Sequence, residues 1–201
     1  MFNGLIRELA EVQTFQNNIL KLKSNYIPQI GDSIAVNGVC LTAIETFKNG
    51  FSVELSPETQ SKIAIENYKN LVHIEPAMRL SDRIDGHLLQ GHIDCIGEIL
   101  EIKKNGNSFD VVIKIPSQFM KFVIDKGSIA VDGVSLTINQ TWSDRFRLTI
   151  IPHTFENTLF KFYKVHQRVN IETDMFARYI FKMFNKGKEG NSFQEAFLNW
   201  W

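Results

Sequence analysis

Two short stretches carry the side chains best placed for chemistry. Val36-Asn37-Gly38-Val39-Cys40-Leu41-Thr42 is an apolar run with a Gly kink that ends on a thiol and a hydroxyl. Val131-Asp132-Gly133-Val134-Ser135-Leu136-Thr137 says it again, and each copy is led in by Ser-Ile-Ala (Ser33 to Ala35, Ser128 to Ala130) at an offset of 95 residues. Both copies present a small nucleophilic or hydrogen-bonding group, Cys40 or Ser135, just before Leu-Thr. That suits a site that holds a polar ligand. The bland alternative is a small residue needed where a strand packs closely.

Other chemistries fit less well. His87-Leu88-Leu89-Gln90-Gly91-His92-Ile93-Asp94 invites a metal reading, because on a strand Gln90, His92 and Asp94 share one face. It lacks thiolate spacing and a second His at i+2 or i+4, so no metal is expected. There is no Ser-His-Asp order, nucleophile elbow, phosphate loop or dinucleotide fingerprint. Lys126 precedes Gly127 in the second half only, and a lone Lys at a strand entrance is usually solvated. Asp174 reads equally well as a helix cap.

The elements that must position these residues are themselves duplicated. Asn3-Gly4-Leu5-Ile6 lines up with Gln90-Gly91-His92-Ile93, Phe51 to Thr59 with Phe146 to Thr154, and Val72-His73-Ile74-Glu75 with Val169-Asn170-Ile171-Glu172. The halves are read as domains of residues 1–87 and 88–185, with a short helical tail over 186–201. Ile19–Leu22, Ser33–Val36, Leu41–Ile44 and Phe51–Leu55 are short and rich in β-branched or aromatic residues, which predicts strands. Lys48-Asn49-Gly50 signals a hairpin with a type I′ turn. About six strands per half and one brief helical turn after Pro57 or Pro152 predict an all-β chain of tandem six-stranded Greek-key barrels. Thr59 and Thr154, two residues after those prolines, are expected to turn their hydroxyls to the barrel mouths.

The last segment does not repeat. Phe176, Tyr179, Ile180, Met183 and Phe184 predict an amphipathic helix capped by Asp174. After Gly187 and Gly190, Ser192-Phe193-Gln194-Glu195 reads as a capping box before Ala196, Phe197, Trp200 and Trp201. A helix this short needs something to dock on, either a second subunit or its own chain.

Composition narrows the class. Twenty-two Lys and Arg balance twenty-two Asp and Glu, so no general field recruits nucleic acid or an anionic membrane. Sixteen Phe argue against disorder. Cys40 and Cys95 sit at non-equivalent places in the two halves, which speaks against a disulfide and for a reduced compartment. No run approaches a membrane span and the start is unlike a signal peptide, so a soluble, cytoplasmic protein is expected.

Together these motifs resemble a known family. Met-Phe-x-Gly-Leu-Ile at the start, Asn-Gly-Val-Cys-Leu-Thr, Gly86 to Asp94, Asp132 to Thr137 and Ile151-Pro152-His153-Thr154 are similar, in one unbroken order over about 1–185, to riboflavin synthase of the α-subunit type, the lumazine-binding repeat family. The resemblance implies two six-stranded barrels with a C-terminal helix, in a homotrimer whose sites lie between the N-barrel of one subunit and the C-barrel of its neighbour. It implies a transferase reaction without metal or external cofactor. Two molecules of 6,7-dimethyl-8-ribityllumazine dismutate by four-carbon transfer, giving riboflavin and 5-amino-6-ribitylamino-uracil. A lumazine synthase shell is a further partner that the family raises.

Carried over by motif, the first pocket takes Gly4, Leu5, Ile6, Cys40, Leu41 and Thr42, with Glu54, Leu55, Ser56, Pro57, Glu58 and Thr59. The second takes Gly91, His92, Ile93, Lys126, Ser135, Leu136 and Thr137, with Ile150, Ile151, Pro152, His153, Thr154 and Phe155. One lumazine must lose a proton from its acidic C7 methyl while the other accepts a nucleophile, so identical pockets would serve badly. Cys40 against Ser135, Asn37 against Asp132 and Leu5 against His92 break the symmetry. In this reading Ser135, His92 and Asp132 assist proton transfer or water addition, Cys40 and Thr42 hold the other ring, and Phe2 covers the ring or orders the site. Asn3 for the usual Thr, Asp85 for a usual Gly and the tail beyond Gly187 depart from the family pattern. The rival reading is a non-catalytic lumazine or flavin binder, in which one half typically loses its motif. Here both halves keep theirs.

Overall fold

Alternation of apolar and polar residues along short strands closes each half of the chain on itself. In the computed structural model, residues 1–186 are described. The first half holds β1 (Glu8–Gln16), β2 (Ile19–Lys23), β3 (Ser33–Val36), β4 (Val39–Phe47), β5 (Gly50–Glu54), α1 (Pro57–Lys62) and β6 (Leu71–Pro76). The second holds β7 (Cys95–Asn105), β8 (Ser108–Lys114), β9 (Ser128–Val131), β10 (Val134–Thr141), β11 (Arg145–Ile150), α2 (Pro152–Asn157) and β12 (Arg168–Thr173), and α3 (Met175–Lys186) follows. Each set of six strands forms a closed antiparallel barrel, β1-β2-β5-β4-β3-β6 and β10-β11-β8-β7-β12-β9, the same circular order twice. Closure leaves no free edge, and the inward residues make one core per barrel. The capping box and the Trp-Trp end lie outside the described residues.

The tight turns show where the chain must bend left-handed. Asn37-Gly38 between β3 and β4 has φ values of 44 and 80°, and Asp132-Gly133 between β9 and β10 has 45 and 82°. Positive φ at both central residues is the type I′ signature. Lys48 and Asn49 also join two strands, but neither takes positive φ, so the expected I′ turn is a hairpin of another kind.

The barrels meet about a local two-fold. Phe2 and Leu89 pair their backbones, and both side chains are buried with Ala35 and Ala130. Around them the polar contacts come in matched pairs. His73 in β6 accepts the Leu159 N–H at Nε2 (2.8 Å), which leaves Nδ1–H to donate to the Asp132 carbonyl (2.8 Å). Asn170 in β12 accepts the Ala64 N–H (2.7 Å) and donates to the Asn37 carbonyl (2.9 Å). Burial holds His73 neutral by pushing its pKa down to about 4.

Asp174 caps α3, its Oδ1 accepting the Phe176 N–H at 2.8 Å. One side of α3 returns to its own chain, where the Phe181 ring meets Phe122 edge-on at 5.4 Å. Phe176, Tyr179, Ile180, Met183 and Phe184 remain exposed. Among the described residues no helix is long and apolar enough to cross a membrane.

Candidate active site

Strand alternation puts the thiol and hydroxyls on the outer wall of each barrel. On β4, Val39, Leu41 and Ala43 fill the core while Cys40 is half-buried and Thr42 exposed. On β10, Val134 and Ile138 point inward, with Leu136 packed against the same core, leaving Ser135 half-buried and Thr137 exposed. β5 pairs Val53 with Ala43, and continuing that register sets Glu54 beside Thr42. The corresponding pair in the second barrel is Ile138 with Leu148. It sets Thr149, which was not foreseen, beside Thr137.

The helical turns complete these walls unequally. Ser56 caps α1, its Oγ accepting the Thr59 N–H and lying 3.0 Å from Thr59 Oγ1. Thr59 is thereby spent on the cap rather than turned free to the mouth. At the matching place in α2 stands Ile151, exposed and offering no side-chain cap. Thr154 is half-buried, while Pro152 and His153 are exposed. Gln60 reaches Asn18 Oδ1 at 2.9 Å beside the first mouth. Beside the second, Phe155 stacks on Phe109 with centroids 3.6 Å apart. One mouth is lined by amides and hydroxyls, the other by aromatic rings.

The lead-in segments go to the opposite barrels from those expected. The Ser135 N–H donates to the Gly4 carbonyl (2.9 Å), and the Cys40 N–H to the Gly91 carbonyl (2.9 Å). Ile6 packs on the core of the second barrel and Ile93 on that of the first. Within one chain, Gly4, Leu5 and Ile6 therefore belong with Ser135, and Gly91, His92 and Ile93 with Cys40. The approach is close. A Cβ on Gly4 would stand 2.5 Å from Ser135 Cβ, and one on Gly91 would stand 2.5 Å from Cys40 Cβ. Both glycines also need positive φ, 79° and 77°, which a side chain would strain.

Two buried carboxylates hold these segments. Glu75 accepts from the Asn3 and Gly4 N–H groups at 2.8 and 3.1 Å, and Glu172 from Gln90 and Gly91 at 2.7 and 2.9 Å. Burial pushes both up to about 7, against those hydrogen bonds, which favour the charged form. The first site has an added strap, because Arg178 of α3 binds Asp94 Oδ1 (2.8 Å) and Gln90 Oε1 (2.9 Å). Residues 88–94 form no strand, so the shared face expected for Gln90, His92 and Asp94 is not that of a strand; Gln90 and Asp94 meet only through Arg178.

Three expected roles change. Asp132 is 1% exposed, and its carboxylate is engaged by the Tyr163 hydroxyl (2.5 Å) and the Asn170 N–H (2.7 Å). It braces the barrel interface and has no access to a ligand on the outer wall. Phe2 is 1% exposed in the interdomain cluster, which leaves it no open face to lay on a ring. His92 is exposed on the Gly91 segment, away from Ser135. The imidazole against Ser135 is His87, with Nδ1 2.7 Å from Oγ. Lys126, at φ 64°, is exposed at the turn into β9. The sequence carried a signal for the carboxylates, whose Ile-Glu pairs recur in both halves, but none that separated His87 from His92.

Two closed barrels with matched outer-wall sites define a duplicated lumazine-binding protein, for the lumazine binding domain family matches the chain twice, over residues 3–77 and 90–174. The same architecture is seen in solved structures of LumP complexed with 6,7-dimethyl-8-(1'-D-ribityl) lumazine and with riboflavin. Each has a TM-score of 0.75 at 18 and 17% identity and covers 86% of this chain and 99% of that one. Curated relatives are nearer in sequence. Riboflavin synthase of Photobacterium phosphoreum is 45% identical over 76% of this chain and 71% of its own. That of Bacillus subtilis (strain 168) is 35% identical over 99 and 98%. The chain belongs to the riboflavin synthase family.

Proposed function

We infer that this protein catalyses the riboflavin synthase reaction, in which one 6,7-dimethyl-8-ribityllumazine molecule donates a four-carbon unit to a second. The products are riboflavin and 5-amino-6-ribitylamino-uracil. The observation that carries the reading is the retention of two complete outer-wall sites related by the local two-fold. A reaction between two like molecules needs two like pockets, whereas a carrier of one chromophore needs one. Each site combines a barrel wall with a glycine segment from the other half, so neither forms without both. The sites sit on outer walls, and the exposed face of α3 offers a contact to a second copy. A homotrimer that sets the N-barrel of one subunit against the C-barrel of the next brings two bound lumazines face to face. Proximity then supplies a large part of the rate, and no metal or external cofactor is needed. A lumazine synthase shell would be a supplier of substrate rather than part of the site.

Purified protein is to be incubated with 6,7-dimethyl-8-ribityllumazine while riboflavin is followed by absorbance. One riboflavin formed per two lumazines consumed is the expected result. Tight binding without turnover would establish the carrier reading instead.

A further inference from the structure

Site two carries a side chain that site one lacks. The linker after β6 turns back across the second barrel and lays Gly86 and His87 on Ser135. A Cβ on Gly86 would lie 1.9 Å from the Asn3 carbonyl oxygen and 2.9 Å from Ser135 Cβ, so the linker lies close against the site. The His87 N–H donates to that same carbonyl at 3.2 Å. Its imidazole Nδ1 lies 2.7 Å from Ser135 Oγ, and no protein group among the described residues pairs with its buried Nε2. Around Cys40, the matching position, the segment after β12 is α3, which brings Arg178 and no imidazole.

We propose that His87 is the proton partner of Ser135 and makes the second barrel's site the one where bound lumazine loses its C7-methyl proton. This rests on the riboflavin synthase reading above. The methyl C–H bond breaks and its electron pair stays on carbon, delocalised into the ring. The proton goes to Ser135 Oγ as the hydroxyl's own proton passes to His87 Nδ1. Two protons move, one O–H bond is exchanged for another, and no oxidant or reductant takes part. Cys40, whose thiol makes no hydrogen bond to an imidazole among the described residues although His92 follows Gly91 on the neighbouring segment, serves the site that takes the electrophilic partner. His87 acts through Ser135 and is a positioning and relay residue.

The charged groups around His87 fit that role. Asp174 at the head of α3 favours the imidazolium, and burial opposes it more strongly, so His87 is held neutral at pH 7 with a pKa below the ordinary 6.5. Glu75 lies one step away, under Asn3 and Gly4. A neutral imidazole can take the proton, and Asp174 steadies the charge once it has formed.

The test compares the parent with His87→Ala and His87→Asn in full-length protein. Turnover, lumazine affinity by fluorescence and exchange of the C7-methyl protons with deuterated solvent are measured from pH 5 to 8. Asn can still hydrogen-bond to Ser135 but carries no titratable proton, so a merely structural role is rescued by it. Support is a loss of turnover and of methyl exchange of about a hundredfold in both variants, with affinity near the parent's. The parent should also show an acid limb in kcat below pH 6.5 that the variants lack. Rescue by His87→Asn, a loss of turnover matched by a loss of affinity, or a parent without that limb would each overturn the proposal. The parent's pH profile decides even where a variant fails to fold. A parent that never turns lumazine over sinks the riboflavin synthase reading itself, whereas active variants sink only the role of His87.

Discussion

At the scale of single residues, the halves differ where it matters and agree where structure demands it. Asn37 and Asp132 look like a functional difference, yet both cap the same turn and bind the same backbone position, the N–H of His73 or of Asn170. What differs is charge. Burial raises Asp132 from 3.8 to about 7, so the folded chain keeps its proton over a range where the unfolded chain has lost it. Its contribution to stability is therefore full below about pH 4 and is lost as pH rises through about 7. Glu75 and Glu172 act in the same direction, while His73, held down to about 4, acts in the opposite one. Asp132→Asn copies the residue already used at position 37. Its stability relative to the parent should climb between about pH 4 and 7, by on the order of a few kcal/mol, and level off above that, as read from denaturant midpoints. Turnover at pH 7 should stay near the parent's, and a large loss would return Asp132 to the proton-transfer role first expected of it.

At the scale of elements, the strands and barrels were legible because alternation and the repeat state them twice over. Ser33–Val36 was read residue for residue, and the cap at Asp174 likewise. The crossing of the lead-in segments was not legible. Gly4 precedes Cys40 in one half and Gly91 precedes Ser135 in the other, so sequence order pairs them within halves. The two-fold contact of Phe2 with Leu89 swaps them in space. His87 was hidden for the same reason, since nothing local says that the linker returns to Ser135. The crossing has a direct test in thiol chemistry. Gly91→Ala forces a Cβ to within 2.5 Å of Cys40 Cβ at a positive φ, so the segment must lift from the first barrel. Cys40 alkylation by iodoacetamide should accelerate several-fold in Gly91→Ala and stay at the parent's rate in Gly4→Ala. Cys95 is buried and its thiol is pushed up to about 12, so it contributes little to the signal. Equal rates in both variants would undo the crossed assignment.

At the scale of the whole molecule, one chain holds both candidate sites, one on each barrel. Cys40 and Ser135 lie on outer walls of barrels that meet along their buried Asn37-Gly38 and Asp132-Gly133 turns. In the proposed trimer a second copy brings the two ligands together, and α3 offers the surface for it. Its residues Phe176, Tyr179, Ile180, Met183 and Phe184 are each more than half exposed, a contiguous apolar face of the kind that proteins bury against a partner. The opposite side is anchored through Phe181 and Arg178, so acidic substitutions on the exposed face leave the helix seated. Tyr179→Glu combined with Met183→Glu should convert the proposed trimer to monomers in sedimentation velocity, because each buried carboxylate costs several kcal/mol unless paired. Lumazine binding to the monomer should persist, since each wall and its glycine segment come from one chain. Turnover should collapse, since the partner lumazine now sits on another molecule in solution. A double variant that remains trimeric would take the α3 face out of the interface, and one that is monomeric and still forms riboflavin at the parent's rate would separate catalysis from assembly and place both lumazines on a single chain.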